Sequence, residues 1–341
     1  MKKISFSFII ILPLLFFINT GCSKKSVSLA AVILDTITVA GGNGMGSAAN
    51  QIAFPSGIYV DKNKNIYVVD LTNNRVQKWA EDANSGTVVA GGNGAGGATN
   101  QLNLPVGIWL DSSENIYVAD YKNVRVQKFP PGSTSVTNGT TSAGGNGGGN
   151  AANQFNAPQY VFIDNSGNLY VSDNINQRVQ EFPAGSTSAT DGVIIAGGNG
   201  VGTAANQFHG VGQIIVDANG NLYVADIANS RIQKFPAGST STTNGVTVAG
   251  GNGSGIAENQ LNNPYGLAVD SDGNIYVSDN ENSRVQKWVP GATTGITVAG
   301  GTKGSAYNQL NSPTAIFLDA GAKNLYISDG GNYRVQKWGL K

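Results

Sequence analysis

Two aspartates and an arginine recur along this chain at fixed offsets, and they are the first residues to weigh as chemistry. Asp70, Asp120, Asp173, Asp226, Asp279 and Asp329 each stand five residues before an arginine: Arg75, Arg125, Arg178, Arg231, Arg284 and Arg334. A carboxylate beside a guanidinium is either a perturbed acid–base pair or a charge-assisted clasp. The arginines are spaced 50, 53, 53, 53 and 50 residues apart, and they are all the arginines the chain has. A single ligand cannot need the same pair six times over. The pairs are therefore expected to clasp neighbouring strands, with Asn73 and its equivalents bonding their own turn backbone.

Little else remains for catalysis. Of 21 acidic residues, 12 belong to the two repeated aspartates (the other set runs from Asp61 to Asp319), leaving nine. Among those, Glu258 and Glu281 break the symmetry on the face where a ligand would be met. His209 is the only histidine, so a site built from several imidazoles is excluded. One cysteine, Cys22, excludes a disulfide framework. Gly-Gly-Asn-Gly-x-Gly stretches look like phosphate loops, but no helix start or lysine follows them, so they are read as connections. The Asp270-Ser-Asp272-Gly273-Asn274 stretch has half the ligands of a calcium loop and is read as a hairpin turn.

The elements that must position these residues are strands. Among 341 residues, only 12% are charged and 47 are glycine, which disfavours a helical bundle and favours short strands joined by tight turns. The copy from Pro264 reads Pro-Tyr-Gly-Leu-Ala-Val-Asp, a turn, Ile275-Tyr-Val-Ser-Asp, a turn, Arg284-Val-Gln-Lys-Trp, a Pro-Gly turn, and Gly295-Ile-Thr-Val-Ala. Four strands per repeat of about 50 residues describe a propeller blade. The last copy stops after its third strand at Trp338, and Thr36-Ile-Thr-Val-Ala40 is an orphan fourth strand at the other end. Pairing the two closes the ring without a free edge. The predicted fold is all-β, a six-bladed β-propeller over residues 36–341. Trp79, Phe129, Phe182, Phe235, Trp288 and Trp338, on the third strands, are assigned to blade packing.

Pro-x-Gly-Ile-x-Val-Asp, Asn-Ile-Tyr-Val-x-Asp and Asn-x-Arg-Val-Gln-Lys-Trp/Phe resemble the NHL repeat, over about residues 36–338. The Ala-Gly-Gly-Asn-Gly loops are similar to those of bacterial lipoprotein members and of the teneurin NHL propeller. Copy four departs, with Val211 for the proline and Gln213 for the glycine. The resemblance implies a six-bladed propeller. It also implies a choice of roles: protein-binding scaffold, RNA binder, extracellular sensor, or metal-dependent lyase or lactonase.

Charge bears on that choice. Lys plus Arg and Asp plus Glu are equal at 21 each, so no basic field exists to hold nucleic acid. Met1-Lys-Lys, an apolar run from Ile4 to Ile18 and Thr20-Gly21-Cys22 resemble a bacterial lipoprotein signal, with Asn19 where leucine is usual. The expectation is a signal peptide at 1–21, lipidation at Cys22 and a tether at 22–35, giving an exported, lipid-anchored envelope protein. Specificity is expected on the rim that carries the first-strand starts and the loops between strands two and three. Gln159, Tyr160, Gln213, Tyr265, Tyr121, Lys122 and Tyr333 are the candidate binding residues there, for a protein or glycan partner, with no metal or cofactor. The alternatives are a metal-dependent lyase or lactonase using His209, Glu258 and Glu281, and a structural surface lipoprotein.

Overall fold

The computed structural model describes residues 36–340. The segments expected to be a signal peptide and a tether, with Cys22, lie outside the described residues. Twenty-four strands form six four-stranded antiparallel sheets. In the first blade the strands are Pro55–Val60, Ile66–Asp70, Arg75–Trp79 and Thr87–Gly91, from the axis outward. The other blades repeat this order. The sixth takes Thr36–Gly41 as its outer strand, paired with Arg334–Gly339 in the register Thr36 to Trp338. Each inner strand touches the inner strands of the blades on either side, and the ring closes between blades six and one.

The β-branched and aromatic second strands are buried along their whole length in five blades, and from Leu325 onward in the sixth, because each blade is covered by a neighbour on both faces. The apolar core is therefore six wedges between adjacent blades, rather than one central mass. The third-strand aromatics fill these wedges at 0–2% exposure.

Each inner strand carries a bulge near its start. Pro55 pairs with Asp70 and Ile58 with Val68, so two residues face one on the partner strand, and the same shift recurs in all six blades. Such a bulge re-aims the side chains on either side of it. Glycine at the third position is needed where blades meet most closely. A Cβ on Gly107 would lie 2.5 Å from the Gln159 carbonyl oxygen and 2.6 Å from Tyr160 Cα.

The loops between blades are held by the repeated ionic pairs. Arg75 Nε donates to Asp70 Oδ2 at 2.9 Å, and the five equivalent pairs span 2.6–2.8 Å. Its Nη1 donates to the Ser47 carbonyl, and its Nη2 to those of Ala48 and Gln51. The Ala53 amide donates to the other oxygen of Asp70. The clasp across strands two and three is as expected, and it also grips the loop arriving from the previous blade. Asn73 differs from expectation: its Nδ2 donates to Asp70 and to the Gly46 carbonyl, so it bonds the loop rather than its own turn. A buried ion pair repays its desolvation only when its remaining donors and acceptors are satisfied, and here they are. At Asp120, Asp173, Asp226, Asp279 and Asp329 burial pushes the carboxyl upward, against the pull of the Asn, backbone and Arg donors.

Candidate functional site

The rim that carries the inner-strand starts holds the predicted binding residues, and the structure divides them into two groups. Tyr121, Gln159, Tyr265 and Tyr333 are half-buried at the surface, and Lys122 is exposed. The Lys122 ammonium lies 5.3 Å from the centroid of the Tyr121 ring. Burial raises the Tyr265 phenol above its usual range, and the nearby charges of Tyr121 and Glu281 add to the effect. Gln159 Oε1 is buried and has no hydrogen-bond partner. The Tyr333 backbone has a structural duty as well, since its carbonyl accepts the Gly42 amide at 2.9 Å from a left-handed conformation with φ of 55°.

Tyr160 and Gln213 do not belong to the rim. They are 4% and 7% exposed and lie inside the channel. Tyr160, from blade three, joins the apolar cluster built by blades six and one, and burial drives its phenol pKa far up. Gln213, from blade four, donates Nε2 to the Ile316 carbonyl at 3.2 Å and accepts the Leu267 amide at 3.3 Å. At this third inner-strand position the other blades have Gly57, Gly107, Gly266 and Ala315. Two long side chains thus fill the space that four small residues leave. Other variable rim positions are also spent on the fold: Ser56 Oγ donates to the Val106 carbonyl at 2.8 Å, and Thr314 Oγ1 to that of Pro55 at 3.1 Å.

The residues considered for catalysis do not come together. The His209 amide donates to Asp226, and its side chain is exposed. Glu258 is exposed in an inter-blade loop, its carbonyl accepting the Gly295 amide just before the outer strand of blade five. Glu281 is exposed in the turn between strands two and three, its amide bonded to the Asn262 carbonyl. Among the described residues, no three His, Cys, Asp or Glu side chains are grouped to hold a metal ion. The Asp270 carboxylate is taken up by its own hairpin, accepting the Asp272 and Asn274 amides, Asn274 Nδ2 and the Tyr276 hydroxyl.

Sequence reasoning missed the opposite end of the channel. A cavity of about 340 Å³ opens there beside the inner strands of blades four, five and six and reaches Trp109 and Phe162 of blades two and three, with Gln213 also in its lining. Its signal was present in the fifth residue of each inner strand, which is aromatic in four blades and aliphatic in blades four and five.

The family model of the NHL repeat matches residues 53–79, 102–129 and 261–288. No curated protein matches the sequence. Three solved structures share the fold at low identity. A protein of unknown function from Bacteroides thetaiotaomicron superposes with a TM-score of 0.67 at 18% identity, over 90% of this chain and 76% of that one. An auxiliary nutrient binding protein from the same organism gives 0.64 at 15%, over 89% and 76%. A gluconolactonase from Xanthomonas campestris gives 0.63 at 13%, over 91% of each chain. Three stretches of this chain match the NHL repeat, and its fold is a six-bladed β-propeller.

Proposed function

We infer that this propeller is a non-catalytic binding module of a bacterial cell envelope, lipid-anchored through Cys22, which engages a protein or glycan partner with its rim. The observation that carries this reading is the rim patch of Tyr121, Lys122, Gln159 and Tyr265. It combines aromatic contact area, phenolic tips and one cation. Such a mixture suits recognition of a polar surface. The repeated acids and arginines are consumed by the clasps, and Glu258, Glu281 and His209 occupy separate loops. A lactonase-like or lyase-like centre therefore has no support from the geometry, and the likeness to a gluconolactonase is one of fold.

Two measurements test the reading. Cross-linking on whole cells, followed by glycan-array binding of residues 23–341, is expected to give a partner whose capture falls at least tenfold in Tyr121→Ala/Tyr265→Ala at unchanged melting temperature. Melting with a panel of divalent ions is expected to show no shift. A site filled to 100 times its dissociation constant would stabilise the fold by about 2.7 kcal/mol, which a melt resolves. An ion-dependent shift lost on changing Glu258 or Glu281 would overturn the binding-module reading in favour of a metal-dependent enzyme. Labelled fatty acid should enter the full-length chain in cells and fail to enter Cys22→Ser.

A further inference from the structure

Tyr160 and Gln213 are buried along the axis, and the cavity at the hairpin end is lined by none of the rim-patch residues. Its origin lies in one column of the repeat. The fifth inner-strand residue is Tyr59, Trp109, Phe162, Ile215, Ala268 and Phe317 in blades one to six. The aromatic members form an arc. Ring centroids are 5.0 Å apart for Tyr59 and Phe317, 5.2 Å for Tyr59 and Trp109, and 4.5 Å for Trp109 and Phe162. Blades four and five break the arc with smaller side chains, and the space they leave is the cavity of about 340 Å³, walled by Trp109, Phe162, Ile215, Ala268 and Phe317.

We propose that this cavity is a second binding site, specific for a small uncharged aromatic compound of one or two rings. Three features set that chemistry. Size comes first: the volume is at the lower end of the range for small-molecule pockets, roughly 300–1,000 Å³, and too small for a helix. Charge comes second. No Lys, Arg or His lines the cavity, which disfavours an anion. The Asp217 and Asp270 carboxylates at its mouth are already engaged by the amides and side chains of their own hairpins, which weakens their pull on a cation. Polarity comes third. Gln213 spends one amide hydrogen on Ile316 and one lone pair on Leu267, which leaves one donor and one acceptor for the polar edge of a ligand. The rings of Trp109, Phe162 and Phe317 supply edge and face contacts for its body.

The test uses 1-naphthylamine, a neutral probe of two fused rings whose emission shifts in apolar surroundings, with the propeller of residues 23–341. Saturable binding of one probe per chain is expected. Emission of Trp109 should change with it, because Trp79, Trp288 and Trp338 are only 1–2% exposed and Trp109 alone among the tryptophans is not buried. Ala268→Phe restores the aromatic that blade six has and should weaken binding at least tenfold. Ile215→Phe fills the same space from blade four and serves as an independent check should the first variant melt early. Tyr121→Ala/Tyr265→Ala, on the rim, should bind the probe as the parent does, so loss of the rim reading and loss of this one are distinguishable. Undiminished binding in both filled variants, or no saturable binding by the parent, would overturn the proposal. A response to methyl β-glucoside without one to the naphthylamine would likewise overturn it, in favour of a sugar site.

Discussion

The perimeter of this propeller and its axis follow different rules. Around the perimeter every blade repeats the same Asp–Arg–Asn clasp on the same loop, at nearly the same distances. Along the axis the inner strands share a backbone path but not their side chains: the third position holds glycine, tyrosine, glutamine or alanine, and the fifth ranges from tryptophan to alanine. Repetition marks what every blade needs in order to stand beside the next. Departure from it marks where the six blades build something jointly, since a plug or a cavity on a six-fold axis cannot be made by six identical contributions of that size. Chemistry-bearing residue types are thus a poor guide here, because the most acidic and basic positions are the most structural ones.

The comparison can be broken most severely at the perimeter. Arg178→Ala leaves Asp173 buried and unpaired and should cost about 3–5 kcal/mol, read by urea denaturation. Arg125→Ala should cost the same within error if the clasps are equivalent, and a large difference between the two would show that the perimeter is not uniform. On the axis, Gly107→Ala forces a Cβ against Gln159 and Tyr160 and should cost about 1–3 kcal/mol by overpacking, although blade six carries Ala315 at the equivalent position. Val124 is a β-branched residue held at φ of 47°, where blade one has Asn74. Val124→Asn should therefore raise stability by about 1 kcal/mol, seen as a higher denaturation midpoint. The smallest effect is expected at the exposed rim, where Lys122→Ala should stay within about 0.5 kcal/mol of the parent. That variant is then a clean probe of partner binding.

Much of the fold was legible in the residues themselves. The step from Arg75 to Arg334 counts the blades, and the orphan strand at Thr36 completes the sixth, as its pairing with Arg334–Gly339 shows. The clasp was legible in outline, but its grip on the incoming loop was not, because Ser47 and Gln51 contribute only backbone carbonyls that any residue could offer. The rim was half legible. Tyr121, Lys122 and Tyr265 were placed correctly at the surface by strand order alone, whereas Ser56 and Thr314 vary in type yet are tied to neighbouring blades. Variation among copies is no mark of freedom, and the bulge in each inner strand, which decides where neighbouring side chains point, leaves no sign in the residue types.

By itself the sequence determined the number of blades, the order of strands within each, the closure of the ring and the structural duty of its aspartates and arginines. All of these rest on contacts within one repeat or between adjacent repeats, and such local contacts impose a period that can be read. Only the tertiary structure decided that Tyr160 and Gln213 are buried along the axis and that Ile215 and Ala268 leave a cavity behind them. Those contacts join residues as far apart as Gln213 and Ile316, 103 positions along the chain, and they exist only because ring closure brings six separate strands to one axis.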